Sequence, residues 1–420
     1  MKFFHLSDLH IGLKLMNRDF REDQEYILRQ ITEMAVRERP DAIVIAGDIY
    51  DKAVPSAEAV DVFDHFIGDL TAYLPDTVIM MISGNHDSAS RVNCFRRILS
   101  RQNLYMVGQP PRFAEEKIEK VTLTDSYGKV NFYLLPFVKP SMVKNVIGTD
   151  KNGNNFSYDE SVRRLIEREE LDKKERNVLV SHQFYFSSAD TIERMDSEVR
   201  TVGNIDEVSV SVLRAFDYAA LGHLHKPMRV GEERFRYCGT PLQYSVSEAG
   251  QQKGILMVEL GKKTSAAGSL REKAIKSDKH AVCSHTPALD GGQAFNADGM
   301  SAKLRVTVLP LAPLREVRVL RGTLEEVLAQ PCEDYVTVIL TDKTDLEVID
   351  MQERLRLAFP HLLEIRRETV RTADYSMELP TDEELDPYEL CCAFLKDADD
   401  EEKEILRDVI HKLNWEEIRK

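Results

Sequence analysis

Five apolar runs in this chain end in the same way. A stretch of β-branched or small residues stops at Gly or Ser, and carboxylates, amides or imidazoles follow at once. Asp41-Ala-Ile-Val-Ile-Ala-Gly-Asp48-Ile-Tyr-Asp51 is the clearest case. Met1 to Ser7 runs into Asp8-Leu-His10, Val78 to Ile82 into Gly84-Asn-His-Asp87, Asn177 to Val180 into Ser181-His182, and Tyr218 to Leu221 into Gly222-His-Leu-His225. Each reads as a buried strand that delivers polar side chains to a loop. Polar groups just past the carboxyl ends of neighbouring strands in an α/β sheet converge in one crevice, where ligands bind. The expectation is one such sheet, with five strand ends around Asp48.

The helices between these runs support that class. Phe20, Ile27, Leu28, Ile31, Met34 and Ala35 recur at helical spacing, and after Pro55-Ser56 so do Val60, Phe63, Phe66, Ile67 and Leu70. The order β-α-β-α-β favours an α/β fold. A third helix is expected over Ala89 to Arg101, carrying Arg91, Arg96, Arg97 and Arg101. Alternating runs from Lys117 to Pro136 and from Lys226 to Leu260, including Arg234-Phe-Arg-Tyr and Gly254-Ile-Leu-Met-Val-Glu-Leu, suggest a second sheet beside the first.

With 420 residues, the chain is too long for one ordinary core. Four segments are expected: 1–260 as the main α/β domain, 261–302 as a Gly/Ala/Ser-rich insertion, 303–380 as a small α+β domain, and 381–420 as two amphipathic helices forming a hairpin. The formal charge of −15 argues against coating nucleic acid by bulk attraction. The acid excess is concentrated in the tail, where 380–420 holds 14 acidic and 6 basic residues. No apolar run approaches a membrane span and no signal peptide is visible, so a cytoplasmic protein is expected. The six cysteines have no C-x-x-C spacing, which suggests neither a disulfide framework nor a cysteine zinc site.

Asp8, His10, Asp48, Asn85, His182, His223 and His225 are oxygen and imidazole donors without a thiolate among them. That mixture suits Mn²⁺, Fe²⁺ or Zn²⁺ in a hydrolytic site. It is enough for two ions, with Asp48 the most economical bridge, and paired ions roughly 3.5–4 Å apart serve in-line displacement at phosphorus. His86 is most useful as a residue that is not a ligand, since beside two cations an imidazole can donate a proton to the leaving oxygen. Asp51 and Asp87 are expected to orient histidines or backbone groups from behind the ligands. Gly261-Lys-Lys-Thr264 does not match a phosphate-binding G-x-x-x-x-G-K-[ST] loop.

Together, Asp8-Leu-His10, Gly47-Asp-Ile-Tyr-Asp51, Gly84-Asn-His-Asp87, Ser181-His182 and Gly222-His-Leu-His225 resemble the blocks of the calcineurin-like metallophosphoesterases. Gly47 to Pro55, Gly239-Thr-Pro-Leu-Gln-Tyr244 and Pro313 to Arg318 resemble more narrowly the SbcD-type nuclease subunits of that family. The resemblance implies a β-sandwich flanked by helices. It implies one ion on Asp8, His10, Asp48 and His225, a second on Asp48, Asn85, His182 and His223, Mn²⁺ as the favoured metal, and His86 as the catalytic histidine. It further implies a DNA exonuclease on duplex ends and endonuclease on single strands or hairpins, serving replication, repair and recombination. The domain 303–380 would cap the DNA, 381–420 would dock on an SbcC-type ATPase that supplies the ATP chemistry, and Ser56 to Tyr73 with Ala89 to Arg101 would form a homodimer contact. Relatives carry a His where this chain has Asp51. A small-molecule phosphodiesterase or phosphatase of the same family is the alternative reading.

Overall fold

The computed structural model describes residues 1–187, 206–265, 300–342, 348–368 and 402–407. Its first half runs β1 (Lys2–Leu6), a short pair β2 (Lys14–Leu15) and β3 (Arg18–Asp19), α1 (Arg21–Glu38), β4 (Ala42–Ala46), α2 (Ala57–Tyr73), β5 (Val78–Ile82), α3 (Ala89–Val92), α4 (Arg96–Leu99) and β6 (Leu104–Val107). There follow β7 (Glu119–Asp125), β8 (Gly128–Leu135), α5 (Pro140–Ile147), α6 (Tyr158–Glu167), β9 (Arg176–His182), β10 (Phe184–Phe186), β11 (Glu207–Ser209), β12 (Tyr218–Gly222), β13 (Met228–Val230) and β14 (Glu232–Tyr237). The last described stretch holds β15 (Gly254–Ser265), β16 (Met300–Pro310), β17 (Val317–Gly322), α7 (Leu324–Leu328), β18 (Tyr335–Leu340), α8 (Val348–Ala358) and β19 (Leu362–Arg367).

Two mixed six-stranded sheets result, ordered β16-β15-β1-β4-β5-β6 and β13-β14-β12-β9-β8-β7. Within them β1-β4-β5-β6 and β14-β12-β9-β8 are parallel, and the outer strands are antiparallel. Because side chains alternate along a strand, each sheet has two apolar faces to bury. Phe3, Val44, Met80 and Ile82 meet Phe132, Val178, Val180 and Tyr218 between the sheets. The alternate residues Phe4, Ile43, Ile45 and Met81 face Ile27, Ile31, Phe63 and Phe66 of α1 and α2. On the far side Leu135, Leu179 and Leu221 face Val143, Val162 and Leu165 of α5 and α6. The layers are therefore helix, sheet, sheet, helix. This double burial explains why the central strands read as unbroken apolar runs.

Three expectations are corrected. The five strand ends do not share a sheet: β1, β4 and β5 lie in the first, β9 and β12 in the second, and the crevice forms because both sheets present carboxyl ends to the same side. Gly254 to Leu260 joins the first sheet, pairing antiparallel with β1, and not the second. Leu304 to Leu309, expected in the small C-terminal domain, is likewise an edge strand of the first sheet, paired with β15. Local alternation marks a strand but carries no information about its partner. The strands of this hairpin extend into both ends of the 261–302 insertion, whose remainder, 266–299, lies outside the described residues.

Ala89 to Arg101 is not one helix. Phe95 takes a left-handed φ of 58° between α3 and α4, and the apolar Phe95 and Ile98 remain exposed, so no continuous stripe favours one helix across the segment. The small C-terminal unit is a parallel sheet β17-β18-β19 with helical crossovers, hence α/β in character and not α+β. A Thr323–Glu326 capping box starts α7. Val317 and Tyr335 pack into the core around α1, and the Tyr335 hydroxyl and Arg315 Nη1 donate to Asp23 Oδ2 at 2.7 and 2.9 Å. Of the expected hairpin 381–420, only 402–407 is described, and it is helical. Among the described residues no helix is long and apolar enough to cross a membrane.

Candidate metal centre

The loops after β1 and β4 are zipped together. Asp8, His10 and Ile11 N–H groups donate to the carbonyls of Gly47, Asp48 and Ile49 at 3.0, 3.0 and 2.9 Å. Asp8, His10, Asp48 and His223 all have positive φ, at 53°, 43°, 49° and 104°. Non-glycine residues are uncommon there, at a cost of about 1–3 kcal/mol for a strained residue. Such residues cluster where the surrounding structure forces side chains toward a ligand, and all four here project from the loops that line the crevice.

The glycines that end the apolar runs have a local reason. Gly47 has φ +90°, and a Cβ there would lie 2.3 Å from His182 Nδ1; a Cβ on Gly84 would lie 2.2 Å from Asp48 Oδ1. Any side chain at either position would displace a candidate ligand.

The seven residues expected as ligands come together. His182 Nδ1 donates to the Ala46 carbonyl at 2.7 Å, which leaves Nε2 as the inward atom. It faces Asp48 Oδ2 at 3.2 Å and Asn85 Oδ1 at 3.0 Å, and His223 Nδ1 is 3.0 Å from the same amide oxygen. Across Asp48, His10 Nε2 is 3.1 Å from His225 Nε2 and 3.7 Å from Asp48 Oδ2. Asp8, His10 and His225 form one group whose ligand atoms lie within 4.8 Å of one another; Asp8, Asp48 and His182 form another, and His10, Asp48 and His86 a third. These are lone-pair donors crowded together in a buried space. The nitrogen and oxygen donor set fits a divalent cation.

The charges of these groups shift one another. Burial alone would push the His182 imidazole down, but the Asp48 carboxylate and then Asp8 raise it to about 9. Burial pushes Asp48 up, yet His182, His10 and His86 together hold its carboxyl below the usual range. His10 is pushed well down by burial. Its Nδ1 is buried without a hydrogen-bond partner. A metal competes for these same atoms, so its binding displaces protons.

His86 is half-buried beside this group. Its N–H donates to Asp48 Oδ1 at 2.8 Å, its ring meets His10 edge-on at 4.8 Å, and its Nδ1 donates to the Asp51 carbonyl at 2.9 Å. The contact with Asp51 is thus made by the main chain, not by the carboxylate the sequence suggested. Asp87 does act from behind: Oδ2 accepts from Gly84 and Ile49 N–H at 2.9 and 3.0 Å, Oδ1 from Tyr50 at 3.0 Å. Burial and the Asp48 charge raise it to about 6 against those three donors. A cleft of about 440 Å³ opens at His86, Asn85 and His223, rimmed by Lys52, Lys139 and Phe137. A larger groove, about 820 Å³, lies by Arg96, Arg97 and Arg112 and contains none of the seven donors.

Sequence reasoning missed the residues that hold these loops from outside. Gln24 Nε2 donates to the His10 carbonyl at 2.8 Å, and the Tyr244 hydroxyl donates to the Leu9 carbonyl. Glu248 and Lys253 form a buried pair behind His225. Only Tyr244 had a signal, within Gly239 to Tyr244; Gln24 sits on an amphipathic helix, and Ser245-x-x-Glu248 reads as an ordinary helix start.

Comparison with known proteins agrees with this geometry. Residues 1–227 match the family described as calcineurin-like phosphoesterase, and residues 313–398 match an SbcD C-terminal domain described as type 5 capsule protein repressor C-terminal domain. The chain is 29% identical over 374 residues to the SbcD chain of the SbcCD nuclease of Staphylococcus epidermidis, covering 86% of this chain and 84% of that one. Among solved structures, a dimetal phosphatase from Danio rerio aligns at 14% identity over 61% of this chain and 92% of its own, with TM-score 0.34. The phosphopantetheinyl hydrolase of Mycobacterium tuberculosis aligns at 16% identity over 57% and 90%, with TM-score 0.33.

Proposed function

Because the chain belongs to the calcineurin-like phosphoesterase family and carries an SbcD-type C-terminal domain, we propose that its crevice cleaves phosphodiester bonds of DNA with two divalent ions, manganese favoured. The observation that carries this reading is the convergence of acceptor atoms from both sheets on Asp48, with His86 beside them. Asp8, His10, Asp48 and His225 would hold one ion, and Asp48, Asn85, His182 and His223 the other. When bound, the ions supply an activated nucleophile and neutralise phosphate oxygens.

The chain's own residues do the rest. With Nδ1–H committed to the Asp51 carbonyl, the protonated His86 ring has Nε2–H to give to the leaving oxygen. Asp87 holds the loops after β4 and β5 in register, which fixes Asp48 and Asn85 relative to each other. Lys52 and Lys139 flank the cleft where a phosphate chain would enter.

The reading extends to the expected assembly. The domain within 303–380 would cap the DNA, 381–420 would bind an SbcC-type ATPase, and α2 with the α3–α4 segment would form a homodimer contact. ATP would act only through the partner, since the sequence contains no phosphate-binding loop of the G-x-x-x-x-G-K-[ST] type. Duplex exonuclease and single-strand or hairpin endonuclease activity belong to this proposal.

The test is hydrolysis of end-labelled duplex DNA by the purified chain with Mn²⁺, alone and with the ATPase partner plus ATP. Mn²⁺-dependent cleavage that is lost in Asp48→Asn and falls by about 10²–10⁴-fold in His86→Gln is expected. Robust turnover of a small phosphodiester without any DNA cleavage would favour the small-substrate alternative.

A further inference from the structure

Behind His225 lies a closed charged cluster that the hydrolytic reading does not use. Glu248 is fully buried, and Lys253 is 4% exposed. Glu248 Oε2 accepts from Lys253 Nζ at 2.6 Å and from Thr240 Oγ1 at 3.2 Å. Its Oε1 accepts from Ser245 Oγ at 2.9 Å and lies 3.7 Å from His225 Nδ1. Lys253 Nζ also donates to the His225 carbonyl at 3.0 Å and to Gln251 Oε1 at 3.1 Å, while the Thr240 N–H donates to the same His225 carbonyl at 3.2 Å.

Packing does not explain such a cluster. Taking a carboxylate and an ammonium out of water costs several kcal/mol for each ion, and a well-packed apolar pair of similar volume is often as stable or more so. The cluster is better explained by what it does to its neighbour. The His225 carbonyl is held by Lys253 and Thr240, and its ring Nδ1 faces the Glu248 carboxylate at 3.7 Å. Its Nε2 faces the crevice, 3.1 Å from His10 Nε2. The neutral ring offers that lone pair to a cation only when its proton sits on Nδ1, the atom that faces Glu248.

We propose that Glu248 is a positioning residue for the ion held by Asp8, His10, Asp48 and His225. It fixes the His225 proton on Nδ1 and orients the ring, and Lys253 balances its charge so that the crevice gains no net negative charge. The inference rests on the two-metal reading above. A carboxylate behind a ligating imidazole makes the imidazole a better donor, and removing such a support typically costs about 10–100-fold in metal affinity.

The experiment is Mn²⁺ binding to the full chain without substrate, with free ion followed by electron paramagnetic resonance, in wild type, Glu248→Gln, His225→Asn and the double variant. Wild type is expected to bind two ions. Glu248→Gln is expected to weaken one of them by about 10–100-fold and leave the other unchanged. In the His225→Asn background the same change is expected to add no further loss, because Glu248 acts through that ring. A role in folding alone would lower the unfolding temperature of the metal-free chain and leave both affinities unchanged, and that result would overturn the inference. Equal weakening of both ions, or a full additional loss in the double variant, would overturn it as well. If Glu248→Gln does not fold, Ser245→Ala removes one bond that aims the carboxylate; a loss below tenfold in the same single ion is then expected, and no loss would count against the proposal. A wild type that binds no pair of ions would remove the reading beneath it, a result distinct from all of these.

Discussion

Strand β9 buries a nitrogen-rich side chain at each end, and the two ends are finished differently. At its amino end the Arg176 guanidinium donates to Asp125 Oδ1 and Oδ2 at 2.5 and 2.9 Å and to the carbonyls of Leu260 and Gly128 at 2.9 and 2.7 Å. Donors there face acceptors, and the chain completes the arrangement by itself. At the carboxyl end His182 Nε2 faces a carboxylate oxygen and an amide oxygen, and beyond Asp48 two imidazole nitrogens face each other. Arg176 and His182 are both buried, so burial does not distinguish them. The kind of atoms does: one end pairs cationic donors with acceptors, and the other gathers imidazole, carboxylate and amide groups of the kind that ligate a divalent cation. A buried polar cluster is thus informative about function when its donor set is that of a metal site.

The largest effect that separates the two ends comes from Asp48→Asn. On the two-ion reading the change removes the carboxylate that would serve both ions, and with it the several kcal/mol of charge stabilisation that bound ions would supply, so cleavage is expected to fall by about 10³-fold or more. The amide keeps an acceptor oxygen for the His86 N–H and can donate to a neutral His182 Nε2 in place of the ion pair, so the metal-free chain is expected to lose less than the about 3–5 kcal/mol that breaking a buried pair costs. A large drop in metal-free stability would break the comparison, because it would mean that the carboxyl end is also a closed structural network.

Arg176→Met is the converse. It empties four hydrogen bonds and leaves Asp125 to the N-terminal ammonium of Met1 and the Tyr127 N–H, with an expected loss of about 3 kcal/mol in unfolding free energy. Turnover per folded molecule and Mn²⁺ stoichiometry are expected to stay at wild-type values, since His182 lies at the other end of the strand. Loss of metal binding in this variant would show that the two ends are coupled through β9.

The same contrast governs what the sequence made legible. The open end was readable because its donors sit in short blocks, Asp8-Leu-His10, Gly84-Asn-His-Asp87 and Gly222-His-Leu-His225, each at the end of an apolar run. Chemistry that needs several donors at one point must gather them at strand ends, and the glycines that make room for them leave a mark. The closed end left none. Arg176 meets Asp125 and Leu260 from 51 and 84 residues away, and Arg176 and Asp125 alone each read as an ordinary surface residue. Sheet membership was hidden for the same reason: Gly254 to Leu260 alternates as any strand does, and only its register against β1 places it in the first sheet. Glu248 and Lys253 combine both cases, since their role depends on His225, more than 20 residues earlier in the chain. The helix expected over Ala89 to Arg101 failed differently, because the left-handed Phe95 interrupts it and the exposed Phe95 and Ile98 leave it no continuous apolar stripe.

Asp125→Asn is the mildest test of the closed end and the one that isolates its electrostatics. Burial, the largest single influence, pushes the Asp125 carboxyl up, but hydrogen bonds from Arg176, the N-terminal ammonium and the Tyr127 N–H together outweigh it and hold the group below the ordinary carboxylate range. A carboxyl whose folded-state value is depressed contributes stability that is present above its unfolded value, near 4, and lost as pH falls toward the folded one. Wild type is therefore expected to exceed Asp125→Asn by about 1.5–3 kcal/mol at neutral pH, the range for hydrogen bonds to charged groups. In denaturant titrations from pH 7 to pH 2 the gap should begin to close below about pH 4, where the unfolded carboxyl takes up its proton first. A gap that stays constant over that range would mean that Asp125 contributes shape and not charge, and the amino end of β9 would then owe its closure to the two carbonyl acceptors alone.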